Sequence, residues 1–208
     1  MKDSAATGGG YFIALDAKMT MFSQLKKYIR LNAAVSETDL NEIVTHFKPL
    51  TVKKNRLLLS QSEICDKLYF VNKGCIRTYY ISKNGDQKTR FIALEGTVVT
   101  SLSSFVSRSP SFEFVDALED SELLYIKRSN FYKLVNAMPE WKKFYIKLLE
   151  FAYFYQNKKI EELVTLSAGE RYAILMKERP GYVQRLSNKI LASYLDVTQE
   201  TLSRLKSK

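Results

Sequence analysis

The sequence predicts an α+β chain: an N-terminal antiparallel sandwich or roll, one long helix, and a C-terminal pair of short helices joined by a tight turn. Three observations carry this. Between Pro49 and Ile126, short apolar or alternating runs are separated by turn residues. From Glu140 to Leu166, apolar residues recur at helical spacing. From Arg185 to Lys208, RLSNKILASYLDVTQETLSRLKSK, two helical segments are broken in register at Asp196 and Val197. With 208 residues and 46% hydrophobic content, the chain can bury one full core and a smaller second one.

Residues 1–20 carry a Ser/Ala/Gly-rich run and a short apolar patch, Tyr11 to Leu15, too short for a signal peptide. They are read as a leader of tag-like composition. Phe22, Leu25 and Ile29 then recur at helical spacing, and Ser36, followed by Asp39, opens a second helix through Leu40, Ile43 and Val44. Pro49 ends the helical stretch.

LTVKKNRLLL, KLYFVNKGCIRTYYI and KTRFIAL follow as strands, with further strands at Gly96 to Thr100, Phe112 to Val115 and Ser121 to Ile126. Asn84-Gly85 predicts a two-residue type I′ hairpin turn, which needs positive φ at both central residues.

Met138-Pro139 precedes the long helix. Ile146, Leu149, Tyr153, Gln156, Ile160 and Leu163 form one stripe, and Phe144, Leu148, Phe151 and Tyr155 form a second. Two apolar faces imply two packing partners: the roll, and the same helix of a second copy about a two-fold axis. A helix buried within one domain is the competing reading, but at this length it spans about 40 Å, more than such a roll covers. Leu166 to Gly169 breaks the pattern as a hinge, and Ser167 can cap the next helix.

In the terminal pair, Ser187 and Thr198 are placed to cap the two helices, and Glu200 falls in the first turn of the second. With Leu202 and Leu205 inward, Gln199, Glu200, Ser203 and Arg204 share the opposite face. Such side chains match base edges: Arg pairs with guanine, Gln with adenine, and Glu accepts from cytosine. Thr198, Thr201, Ser203, Lys189 and Lys206 suit phosphates. The plainer reading is an amphipathic helical pair packed on another domain, its polar face merely solvated. Charge favours a polyanionic partner. Lys and Arg number 32 against 22 acids, a formal +10. From Ser167 onward Arg171, Lys177, Arg179, Arg185, Lys189, Arg204, Lys206 and Lys208 face only Glu170, Glu178, Asp196 and Glu200.

VTQETLSRLKSK resembles the recognition helix of the cAMP receptor protein/FNR (Crp/Fnr) family of bacterial transcription regulators. In that family a variable residue, a Glu and, after three intervening residues, an Arg carry base readout; here they are Gln199, Glu200 and Arg204. The turn position, often Gly in the family, is Asp196, which reaches a left-handed conformation at some cost. The sequence ends shortly after this helix, so the wing strands of several relatives are not expected. LYFVNKGCIRTYYISKNGD resembles a strand pair of cyclic-nucleotide-binding β-rolls, and DALEDSELLYIKRSNFYKLV the end of such a roll. The resemblance implies a cyclic-nucleotide-binding-like jelly roll over 21–138, a dimerisation helix over 139–166 and a helix-turn-helix DNA-binding domain over 167–208. It also implies double-stranded DNA, a second copy and RNA polymerase as partners.

In the family, a Gly-Glu pair holds the ribose of cAMP, and an Arg followed by Ser or Thr holds the cyclic phosphate. The resemblance places these at Gly96 and Thr97, and at Ser111 and Phe112; Arg108 and Glu113 lie nearby but out of step. Losing the bidentate phosphate contact costs on the order of two charge-assisted hydrogen bonds, several kcal/mol. Binding of cAMP is therefore not expected. Another small effector stays open, as does a roll filled by Phe112 and Phe114.

Cys65 and Cys75 are too few for an iron-sulfur centre, which takes about four thiolates. The single histidine, His46, argues against a His-based metal centre and against a metal-dependent oxygenase on a jelly roll. Neither a Ser-His-Asp nor a Cys-His set nor a Gly-rich phosphate loop is present, so no catalytic residues are expected. Without an apolar run of membrane-spanning length or a signal peptide, the chain reads as cytoplasmic. The rival function is a ligand-sensing module whose C-terminal helices dock on a partner protein instead of DNA.

Overall fold

The computed structural model describes residues 9–207, with side chains from residue 21 onward. Helix α1 spans Gly9–Asn32 and α2 spans Glu37–Thr45. Ser36 caps α2, its Oγ accepting from the Asp39 backbone N–H at 3.1 Å. The boundary expected at residue 20 lies inside α1, because its backbone is helical from Gly9; residues 1–8 of the proposed leader lie outside the described residues. Phe22, Leu25, Ile29, Leu40 and Ile43 turn inward and cap one side of the roll.

Eight strands follow in two antiparallel sheets. One orders β1 (Phe47–Val52), β8 (Ser121–Lys127), β3 (Lys67–Lys73) and β6 (Val98–Val99). The other orders β2 (Leu57–Leu59), β7 (Phe114–Ala117), β4 (Ile76–Ile81) and β5 (Gln87–Ala93). Pro49 does not precede the first strand but lies within β1, opposite Leu124. It is tolerated there because β1 is an edge strand, where a missing N–H breaks no ladder. The β4–β5 turn also differs from expectation. Gly85 N–H donates to the Ser82 carbonyl at 2.9 Å, and Gly85 has φ +84° while Asn84 is not among the positive-φ residues. The loop is thus a four-residue turn, Ser82 to Gly85, that ends on a left-handed glycine, a common longer hairpin solution, and not a two-residue type I′ turn.

Helix α3 (Leu102–Ser107) interrupts the roll; α4 (Arg128–Ala137) and α5 (Pro139–Thr165) close it. Pro139 starts α5 at a position where its missing N–H costs nothing. Trp141, Phe144 and Leu148 of α5 are buried, Trp141 stacking on Phe144 with centroids 4.6 Å apart. These residues join Phe47, Phe70, Phe105 and Phe131 in the large core.

Leu166 is extended, which ends α5. Ser167 then caps α6 (Ala168–Glu178) in a reciprocal capping box with Glu170. The connection expected over 182–186 is a helical turn, α7 (Pro180–Arg185), followed by α8 (Asn188–Leu195) and α9 (Gln199–Lys206). A second apolar cluster holds these helices together: Leu175, Tyr182, Leu186, Leu191, Leu195 and Leu202, completed by Cys75 and Ile92 from the roll.

Candidate nucleic-acid interface

The two short helices are fixed by local chemistry. Ser187 Oγ accepts from the Ile190 N–H at 3.4 Å, and Thr198 Oγ1 from the Thr201 N–H at 3.2 Å. Asp196 between them is left-handed, φ 54° and ψ 51°, so a non-glycine residue makes the turn. Val197 N–H donates back to the Ala192 carbonyl at 3.0 Å, closing the end of α8.

Leu202 is fully buried, and this sets the rotation of α9. Thr198, Gln199, Glu200, Ser203 and Arg204 are consequently exposed, with Lys189 exposed on α8. Glu200 and Arg204 lie one turn apart on the same face. The Glu200 carboxyl is held below its ordinary value, chiefly by its own backbone N–H and then by the Thr198 hydroxyl, so it is an anion and an acceptor. Three of the expected phosphate ligands are engaged internally. Lys206 Nζ donates to Asn188 Oδ1 at 2.6 Å, and the half-buried Thr201 shares a hydrogen bond with Thr198 at 3.1 Å.

The unit is docked on the outer face of the β4–β5 sheet. Ser193 Oγ accepts from the Thr89 N–H at 2.8 Å and donates to the Gln87 carbonyl at 2.6 Å. Lys88 pairs with Asp196 at 2.5 Å. Arg185 forks between Glu95 and Glu119, both at 2.6 Å, and reaches the Gly74 carbonyl. Arg185 holds the Glu95 carboxyl down at about 2. The start of α9 therefore opens on a groove of about 510 Å³, with Gln87 and Lys88 on one wall and Lys189, Gln199 and Glu200 on the other.

Against α5 the unit is joined by aromatic rings. Tyr155 and Tyr194 share a hydrogen bond at 3.0 Å, and Tyr182 packs edge-on to Tyr194 and donates to the Ile92 carbonyl. Lys159 donates to the Tyr194 carbonyl and lies 3.8 Å over its ring. Burial pushes the Lys159 ammonium down to about 8.

Along α5, the stripe of Phe144, Leu148 and Tyr155 faces the roll. The other stripe, Ile146, Leu149, Tyr153, Ile160 and Leu163, is exposed, Tyr153 at 63% and Ile160 at 58%. Phe154 and Val164 extend this uncovered surface.

Residues 49–138 match the family model of the cyclic nucleotide-binding domain. The chain is 25% identical over 179 residues to the regulatory protein HlyX of Actinobacillus pleuropneumoniae, covering 81% of this chain and 73% of HlyX. It is 26% identical over 177 residues to an anaerobic regulatory protein of Pasteurella multocida, covering 80% of this chain but 63% of the relative. In fold it matches FixK2 of Bradyrhizobium japonicum, TM-score 0.68 at 20% identity, over 77% of this chain and 83% of FixK2. The chain is thus similar to regulators of the Crp/Fnr type, and its residues 49–138 form a cyclic nucleotide-binding-type domain.

Of the four expected effector positions, two lie in the turn before β6 and two between α3 and β7. Gly96, φ +76°, lies in the turn before β6, its N–H donating to the Val71 carbonyl, while Thr97 accepts from the Val71 N–H. Ser111 is buried and shares a hydrogen bond with Ser101 at 2.9 Å. Phe112 is 79% exposed, and Phe114 stacks on Tyr79 with centroids 5.1 Å apart. The two phenylalanines therefore do not fill the roll. Its polar interior is instead an ion pair, Arg90 to Glu113 at 2.9 Å, with Glu113 Oε2 and Thr78 Oγ1 buried and without a partner among the described residues. A second buried pair, Arg77 to Asp116, is bidentate at 3.0 and 2.6 Å and lies over Tyr79. Sequence reading passed over Arg90 and set Glu113 aside as out of step. The signal was present as charged residues inside otherwise apolar strands.

The two cysteines are buried, and burial pushes the Cys75 thiol up to about 12, away from reactive thiolate. Among the described residues no three His, Cys, Asp or Glu side chains are grouped to hold a metal ion. No described helix is long and apolar enough to cross a membrane.

Proposed function

We propose that this chain is a homodimeric, cytoplasmic transcription regulator of the Crp/Fnr type whose α9 reads one half of a near-palindromic duplex site. One observation carries the reading: burial of Leu202 leaves Gln199, Glu200, Ser203 and Arg204 uncovered on one side of a capped helix. Arg204 is the guanine reader, Glu200 accepts from cytosine, and Gln199 varies the specificity. Thr198, Ser203 and Lys189 fix register through phosphates, and Lys206 adds charge after exchanging Asn188 for a phosphate. The uncovered stripe of α5 supports the dimer, because a surface with Tyr153, Phe154, Ile160 and Val164 together is costly to leave in water. Two-fold pairing sets two α9 helices about 34 Å apart, one turn of duplex. RNA polymerase is the further partner that this reading includes.

The roll, in this reading, takes an effector other than cAMP, or none. Ser111 and Phe112 offer no cation to a cyclic phosphate, and the nearby Arg108 is turned to the Cys65 carbonyl and Asp66. The named relatives are regulatory proteins, in keeping with a chain that performs no catalysis.

Titration of duplexes selected from a random pool, over a range of salt, tests the proposal. Affinity should fall steeply with salt as phosphates are neutralised. Binding that is absent or insensitive to salt would point to docking of the C-terminal helices on a protein.

A further inference from the structure

We propose that Lys159 is a carbamylation site, its amine taking up dissolved CO2 as a reversible carbamate that the guanidinium of Arg179 holds. This goes beyond the DNA-binding reading and does not rest on it. The Lys159 side chain lines a pocket built by α5, α6 and α8 together, and it donates to the Tyr194 carbonyl. About 30 Å³ is left in that pocket, room for about two waters. A metabolite does not fit such a space, whereas a triatomic molecule does.

The charges around the amine favour an anion in its place. Arg171 and Arg179 share the pocket with it. Arg171 is occupied, its N–H groups donating to the Leu166 and Leu195 carbonyls. Arg179 donates from Nη1 to the Tyr182 hydroxyl at 2.9 Å, and the rest of its fork has no hydrogen bond among the described residues. A guanidinium stays charged and matches a carboxylate with two parallel donors, and a carbamate presents the same pair of oxygens. The acids nearby have other cations: Glu178 pairs with Lys158 at 2.7 Å, Glu162 lies 3.9 Å from Lys158, and Asp196 pairs with Lys88.

The same surroundings free the nucleophile. Burial is the main reason that the ammonium falls from 10.5 to about 8; Arg171 and Arg179 act in the same direction, and Glu162 and Asp196 oppose it. At neutral pH the neutral amine is therefore on the order of a hundredfold more populated than in an exposed lysine. Its lone pair forms a C–N bond to the carbon of CO2, one C=O π pair moves onto oxygen, and nitrogen releases a proton to solvent. Counted from the ammonium, two protons leave, so at fixed dissolved CO2 the carbamate accumulates as pH rises. The N–H that remains keeps donating to the Tyr194 carbonyl. What is given up is the cation over the Tyr194 ring, 3.8 Å from Nζ.

Trapping on the full chain tests this. The protein is equilibrated with isotopically labelled CO2 and treated with triethyloxonium, which fixes a carbamate as its ethyl ester, and is then digested for mass spectrometry. Label is expected on Lys159 at about tenfold or more the level on the exposed Lys177, and it should rise with pH. Arg179→Gln should lower it several-fold. Because uptake favours the native state, thermal unfolding should move up in CO2-equilibrated buffer at matched pH. That shift should be lost in Lys159→Arg, whose guanidinium stays protonated and does not react. Lys159 without label, or labelled no more than Lys177, overturns the site. Equal labelling in Arg179→Gln overturns the role of Arg179. Equal thermal shifts in the parent and Lys159→Arg overturn the preference of the carbamate for the folded chain.

Discussion

The roll closes its core with its own strands and with α1, α2, α4 and the first half of α5, whereas the C-terminal helices complete theirs with Cys75 and Ile92 from the outer face of the β4–β5 sheet. The first core is held by large buried rings such as Phe70, Phe131 and Trp141. The second is smaller, and polar joints add to its seat on the roll: Arg185 with Glu95 and Glu119, Lys88 with Asp196, Ser193 with Thr89 and Gln87. Exposed ion pairs are each worth only about 0–1 kcal/mol. A body held by burial and a body held by such joints differ in what moves them. The roll unfolds or stays; the DNA-reading unit can change its seat at small cost, as a regulator requires.

The comparison can be broken most directly at its large end. Phe70→Ala should cost about 3–5 kcal/mol and unfold the roll, read by urea denaturation. Leu202→Ala, costing about 2–5 kcal/mol, should loosen α8 and α9 while the near-ultraviolet signal of Trp141 persists. A single cooperative loss of both signals in that variant would mean the two cores are one.

Ile160→Glu places a charge in the uncovered stripe of α5. Sedimentation should show half the parent mass, and the avidity of two linked half-sites should go with it, on the order of a hundredfold or more. An unchanged mass would remove the two-fold partner from the account. On the DNA face, Arg204→Ala should cost about 1–3 kcal/mol and relax preference at one base position, measured on the selected duplex and its single-base variants. Uniform weakening across all variants would instead make Arg204 a phosphate ligand.

The smallest effect is at the Arg185 joint. Glu95 is depressed from 4.5 to about 2, so its contribution is fully present above 4.5 and is lost as pH falls through about 2. Arg185→Gln should lower stability at neutral pH, where that contribution is fully present, and flatten the acid limb so that parent and variant converge near pH 2. A parent and variant with the same acid limb would show that Arg185 does not hold Glu95 in solution.

What was legible in the sequence was what is decided within a few residues. Ser36, Ser167, Ser187 and Thr198 cap their helices because a hydroxyl reaches an N–H three residues on, and Asp196 turns the chain because the two helical registers on either side leave it no other place. The two stripes of α5 were legible for the same reason, as periodicity. The effector positions were not. Ser111 meets Ser101, and Arg90 meets Glu113, through the folding of the roll, and nothing in the spacing between them along the chain announces it. The exposed Phe112 and the stacked Phe114 show how far a residue's type can mislead about its side of a loop.

The sequence by itself determined the helix caps, the long helix with its two stripes and the polar face of α9, since caps, turn residues and apolar period act at short range. Only the tertiary structure decided that α7 and α8 seat against the β4–β5 sheet, and that Lys159 meets Arg171, Arg179 and Tyr194 in one pocket. These depend on which surfaces meet once two cores are closed, and burial has no preferred direction along a chain until the strands that create it are paired.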